Sequence, residues 1–127
     1  MRCHVNMRMI DVVESCIVTI REGQHMPQYT ALSYVWGRVE TLLCKKANLV
    51  DLEVAGSLDT APFSSTLATT ISDAMTLTKS MGLRYLWADM LCIVQDDPSD
   101  KMVQLPNMAN IYGDAHFTIV AADGTHA

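Results

Sequence analysis

The second half of the chain predicts an α/β domain with a parallel sheet core and flanking helices, and three observations carry that expectation. Apolar residues recur at helical spacing over 67–81, and a run at 83–88 that is apolar on both faces apart from Arg84 follows without a polar pause. A second helical segment occupies 99–112, and HFTIVAA at 116–122 reads as another buried strand. Helix, strand, helix, strand in alternation is the signature of crossover connections between parallel strands. Strands apolar on both faces are those that helices cover from both sides.

The elements before this region are shorter. Residues 5–10 and 16–20 are β-branched-rich segments that read as strands, with turn residues at 21–23 and 25–27. The run 29–36, YTALSYVW, is β-prone and closed by Gly37. Residues 38–65 carry no clear period; Asn48 and Gly56 are turn positions, and 56–65 reads as a loop.

The first long helix shows Leu67, Ile71, Ala74, Met75, Thr78 and Met81 on one face. Thr70 with Asp73 forms a candidate capping box, with Thr66 or Thr69 as the alternative start, and Gly82 stands at the C-terminal cap. The acids of 96–100 lead into the second helix, where Ser99 is the expected N-cap. Its expected apolar face is Met102, Leu105, Met108, Ala109 and Tyr112. Pro106 lacks an amide proton, so two short helices should meet near Gln104, with Gly113 ending the second.

Composition narrows the function classes. The 127 residues suit one domain, 1–127, and with half of them hydrophobic and 18% charged the chain should fold. A formal charge of -5 argues against a phosphate-backbone surface, and so against nucleic acid as the partner. No run approaches the roughly 18 apolar residues of a membrane helix, and the N-terminus lacks the apolar core of a secretory signal. Cys3, Cys16, Cys44 and Cys92 lie far apart, as do His4, His25, His116 and His126, so neither a zinc site nor a disulfide scaffold is indicated. Reduced thiols in a cytoplasmic protein are the expectation.

Ligands of open parallel sheets gather beyond the carboxyl ends of strands. There the chain offers Asp89, then Asp96 and Asp97, and Asp123 after the last strand; Ser33, Tyr34 and Trp36 join them if the 29–36 strand lies in the same sheet. Each has a plainer reading. Asp89 can cap a turn or pair with Arg84 or Arg38, and Asp96 and Asp97 can be solvated helix-start acids. A magnesium site from these three acids lacks further ligands, so no metal is expected. Trp36 and Trp87 suit core packing. Cys92 as a nucleophile would need a base such as His116, and an inert thiol is the favoured reading. No phosphate loop, G-x-G-x-x-G or H-E-x-x-H is present, and no cofactor is evident.

Three blocks take the reading further. YTALSYVWG at 29–37, RYLWADMLCIVQDD at 84–97 and DKMVQLPNMANIYGDAHFTIVAADG at 100–124 resemble, in order and spacing, the signature blocks of the fungal heterokaryon incompatibility (HET) domain family. TTISDAM at 69–75 and MIDVVESCIV at 9–18 are similar to that family's connecting segments. Met90 and Ala68 depart from its usual residues. The resemblance implies a role in vegetative incompatibility: non-self recognition leading to programmed cell death, through other incompatibility proteins or self-association. It places family-motif positions at Ser33, Tyr34, Trp36, Gly37, Asp89, Cys92, Gln95, Asp96 and Asp97.

The family has been likened to TIR domains, which implies a TIR/flavodoxin-like sheet and, as the alternative activity, hydrolysis of NAD by a glutamate on the helix after the third strand. Glu14, Glu22, Glu40 and Glu53 all precede the first long helix, so the position of that glutamate is expected beyond the end of this chain. Whether the chain is an enzyme is therefore left open. The family pattern continues past the A-A-x-G strand, so a domain truncated and incomplete at its C-terminus is expected, with a non-functional fragment as a further alternative.

Overall fold

A computed structural model describes residues 1–34 and 41–121. Strands β1 (Met7–Asp11) and β2 (Cys16–Ile20) form an antiparallel hairpin, with Met7 opposite Ile20 and Asp11 opposite Cys16. The turn between them is set by Asp11, whose carboxylate accepts hydrogen bonds from the amides of Val13 and Glu14, both at 3.0 Å. Such an Asx turn gives the backbone a local partner where the ladder ends. Strand β3 (Tyr29–Tyr34) follows, then helix α1 (Leu49–Leu52), a 3-10 turn at Ser57–Asp59 and helix α2 (Phe63–Thr66). Short helices thus occupy part of the region expected to be irregular.

Helix α3 (Thr69–Ser80) buries Ile71, Ala74, Met75 and Thr78, close to the expected stripe. Its start differs from expectation. Ala68 occupies the N-cap and no side chain caps the helix. Its end agrees: Gly82 has φ of 80°, its amide donates to the carbonyl of Lys79 at 3.0 Å, and the Leu83 amide donates to Thr78 at 3.1 Å. This is the Schellman arrangement, which a residue without Cβ enters at no steric cost.

Strand β4 (Tyr85–Ala88) leads into α4 (Asp89–Cys92), then α5 (Pro98–Gln104), a 3-10 turn at Leu105–Asn107, α6 (Met108–Asp114) and β5 (Phe117–Ala121). The break at Gln104 lies where Pro106 demanded one. Asp97, not Ser99, caps α5, accepting from the amides of Ser99 and Asp100, because Pro98 takes the first helical position where a missing amide costs least. The apolar face is also phased differently: Gln104 and Ile111 are buried whereas Met102 is 78% exposed. The 3-10 turn resets the helical phase, so one stripe cannot run through both halves. Gly113 lies inside α6 instead of ending it.

The five strands run in the order β2-β1-β4-β3-β5. Strands β4, β3 and β5 are mutually parallel, with Ala31 beside both Trp87 and Thr118, while β1 is antiparallel to β4. The sheet is therefore mixed rather than purely parallel, since residues 12–15 are too short a connection for anything but an antiparallel pair. Trp87, Leu86, Met9 and Ile10 are fully buried at its centre. Helix α3 packs on β3 and β4, and α6 lies over the Tyr29 and Trp87 side chains: the Tyr29 hydroxyl donates to the Ile111 carbonyl, and Trp87 meets Tyr112 edge-on at 5.5 Å.

The buried strand expected at 116–122 is instead an edge strand, with Val120 80% and Phe117 46% exposed. Among the described residues it has a neighbouring strand on one side only, and an apolar composition does not distinguish a covered strand from an open one.

Candidate functional site

The carboxyl ends of β3 and β4 bring three family-block residues to one place. The parallel register pairs Leu32 with Ala88; Ser33 follows the first of these within β3, and Asp89 follows the second and opens α4. Alternation puts Ser33 on the same side of β3 as Ala31, the residue paired with Trp87. Tyr112 of α6 reaches over that side. Its hydroxyl donates to the Leu32 carbonyl at 3.2 Å and is hydrogen-bonded to the Ser33 side chain. Burial pushes the Tyr112 phenol above its ordinary pKa, the Asp89 carboxylate pushes the same way, and the Ser33 bond pulls it back in part. Its proton therefore stays on at neutral pH.

Asp89 is half-buried and opens α4. Its backbone is fixed by Gln95, whose side-chain amide donates to the carbonyls of Asp89 at 2.8 Å and Ile93 at 2.9 Å. Gln95 therefore positions the strand end through its side-chain nitrogen. Of the two candidate cations for Asp89, Arg84 is held by Asp11 at 2.9 Å, and Arg38 lies outside the described residues.

The other motif positions separate from this cluster. Tyr34 is half-buried at the end of β3 and paired with Ala121, so it leaves the strand on the opposite side to Ser33. Cys92 is fully buried; its sulfur accepts from the Ala88 amide at 3.4 Å, and burial pushes the thiol up to about 12. A thiol so placed is inert. Its candidate base, His116, donates its amide to the Tyr29 carbonyl at the opposite, amino end of β3. Asp96 accepts from the Lys46 amide at 2.8 Å, tying down the segment before α1, and Asp97 is the α5 cap. Both acids therefore serve the backbone, and among the described residues no three acid, histidine or cysteine side chains gather as a metal site. Trp36, Gly37 and Asp123 lie outside the described residues.

Sequence reasoning misses two participants. Tyr112 belongs to an apolar helix face by its spacing, although its hydroxyl is what links α6 to β3. Asp100 has the position of a helix-start acid, yet it holds Arg8 at 3.1 Å and the Val94 amide at 2.8 Å, fixing the loop after α4 against β1. A tyrosine amid apolar residues is the available signal for the first, since buried tyrosines usually find a partner for the hydroxyl. No signal in sequence points to the second.

Chemically, the cluster is a hydrogen-bonding surface of hydroxyl, phenol and carboxylate over a fully buried indole. The Ser33 hydroxyl is engaged by a phenol, not by an imidazole that would activate it as a nucleophile. Among the described glutamates, Glu14 lies in the β1–β2 turn, Glu22 follows β2 and Glu53 ends α1; none lies at these strand ends.

Residues 29–127 match the sequence model of the family described as Heterokaryon incompatibility protein (HET). The chain is also 32% identical over 102 residues to Heterokaryon incompatibility protein 6, OR allele, of Neurospora crassa, an alignment covering 74% of this chain. The chain spans about 14% of that relative's length. No solved structure matches.

Proposed function

The chain belongs to the heterokaryon incompatibility (HET) family, and we propose that it acts in fungal vegetative incompatibility, linking non-self recognition to programmed cell death. The observation that carries this reading is convergence: Ser33, Asp89 and Tyr112 come from three separate family blocks and meet at the carboxyl ends of two interior strands. A hydrogen-bonding surface of this kind serves association with another incompatibility protein or a second copy, and we place that encounter in the cytoplasm. No described helix is long and apolar enough to cross a membrane. The parallel strands support a flavodoxin-like start to the fold, because the first of them in sequence, β3, lies between the second and the third.

The test is inducible expression of the chain in a filamentous fungus, scored by growth arrest and vital-dye uptake. Expression should impair growth, and Asp89→Ala or Tyr112→Phe should relieve the impairment at equal protein level. A chain that leaves growth and heterokaryon formation untouched would refute the role. Variants as harmful as the parent would refute the site.

A further inference from the structure

The seam between the β1–β2 hairpin and α5 shares no residue with the strand-end cluster. Two contacts close it: the Arg8 guanidinium donates to the Asp100 carboxylate at 3.1 Å, and the Gln104 side-chain nitrogen donates to the Asn6 carbonyl at 2.7 Å. Each of the two side chains keeps one polar atom unmet. Arg8 Nε and Gln104 Oε1 are buried and have no hydrogen-bond partner among the described residues. Gln104 is 1% exposed, and its bond to Asn6 fixes the amide, because the reversed amide would set oxygen against oxygen. Polar atoms buried to this degree usually have their hydrogen bonds made.

Both side chains line one cleft of about 460 Å³, within the roughly 300–1,000 Å³ range of small-molecule sites. The rest of the lining decides the charge of a ligand. The carboxylates of Glu22, Asp97 and Asp100 stand against the single guanidinium of Arg8, which leaves the cleft negative. Asp100 is held by Arg8 and Asp97 by the amides of α5, whereas Glu22 is exposed and makes no ion pair among the described residues. Val5 and Val103 add apolar surface.

We propose that this cleft holds the free amino terminus of a peptide whose first residue is apolar. The ammonium group would donate to Gln104 Oε1 and lie near the Glu22 carboxylate. The first carbonyl would accept from Arg8 Nε, and the side chain would rest on Val5 and Val103. An α-ammonium beside a carbonyl supplies the missing donor, the missing acceptor and the positive charge in one group. A phosphate or a second carboxylate brings acceptors into a cleft that is already negative, and a simple amine leaves Arg8 Nε unmet.

The experiment follows isotope-labelled chain by NMR while leucinamide, a minimal mimic of such a terminus, is added at about pH 6, where its amine is protonated. Of the comparison ligands, N-acetylleucinamide lacks the charge, isoamylamine lacks the carbonyl, and leucine carries a carboxylate. Saturable shifts are expected at the Gln104 side-chain amide, the Arg8 Nε–H and the Glu22 amide, with leucinamide binding several-fold more tightly than the other three. Glu22→Gln should weaken leucinamide binding about threefold, the size of one exposed ion pair, and leave the melting temperature unchanged. Arg8→Lys keeps a cation for Asp100 and removes the Nε donor, so leucinamide should lose its advantage over isoamylamine. The proposal is overturned if no saturable shift appears, which would mean a cleft holding only water, or if N-acetylleucinamide or isoamylamine binds as tightly as leucinamide. Unchanged affinity in Glu22→Gln, or an advantage that survives Arg8→Lys, overturns it as well. Tighter binding of leucine would assign the cleft to a free amino acid and overturn the peptide terminus.

Discussion

The link between Ser33 and Tyr112 can be tested by a double-mutant cycle. Tyr112→Phe keeps the ring that meets Trp87 at 5.5 Å and removes only the hydroxyl. Two hydrogen bonds go with it, one to the Leu32 carbonyl at 3.2 Å and one shared with Ser33. At about 0.5–1.5 kcal/mol net for each bond, and with the first near the long end of the range, a total loss of about 1–2 kcal/mol is expected. Ser33→Ala removes the shared bond alone and should cost about 1 kcal/mol. Because that bond is counted in both single variants, the double variant should be less destabilised than their sum by about 0.5–1 kcal/mol. Equilibrium urea unfolding followed by far-UV circular dichroism reads all four corners of the cycle. Costs that add to within about 0.3 kcal/mol would show that the two side chains do not interact, and the strand-end cluster would lose its third member.

Acid stability should depend on Asp11. Burial pushes its carboxyl up, but Arg84 and the amides of Glu14 and Val13 outweigh this and hold it below its ordinary pKa. A carboxyl depressed in the folded state contributes stability above its unfolded pKa of about 3.9 and loses it as pH falls through the folded value. Asp11→Asn should therefore lower the melting temperature at pH 6 and flatten its fall between pH 4 and 2; a parallel curve for the two proteins would refute the assignment. At the sheet edge, Val120→Lys should change stability by less than about 0.5 kcal/mol, because the side chain is 80% exposed, and should slow aggregation of concentrated protein, because charge blunts an open strand edge. A loss of folded protein would mean that Val120 is covered.

How much of the fold was legible in the sequence depends on the range of the forces involved. The strand at 16–20, the capping glycine Gly82 and the break at Gln104 depend on local backbone preferences, and local sequence carries them. The phase of the second helix was not legible, since the 3-10 turn shifts it by an amount that Pro106 alone does not specify. Nor was the antiparallel placement of β1 beside β4. That placement depends on a contact between residues 10 and 86, and the apolar faces of both strands are satisfied equally well in a parallel sheet. The exposure of β5 was hidden for a related reason, because a strand's composition records what it prefers to touch and not what is there to touch.

The candidate site shows the same division. The strand-end positions of Ser33 and Asp89 were legible because rules about strand ends act on single elements: once a run is a parallel strand, the residues at and just beyond its end lie where ligands gather. Asp96 and Asp97 satisfied the same rule and proved to hold backbone amides. The difference lies in the chain around each acid. Asp97 precedes a proline and a helix, and Asp96 faces the exposed amide of Lys46, so both find backbone donors close by. Asp89 comes directly after the central strand, at the end where Leu32 and Ala88 are paired. The Ser33–Asp89–Tyr112 arrangement therefore depends on the parallel pairing of β3 with β4 and on the seating of α6 over Trp87. A change that shifts α6, such as replacing the fully buried Trp87 with alanine at about 3–5 kcal/mol, would disperse the cluster without touching any of its members.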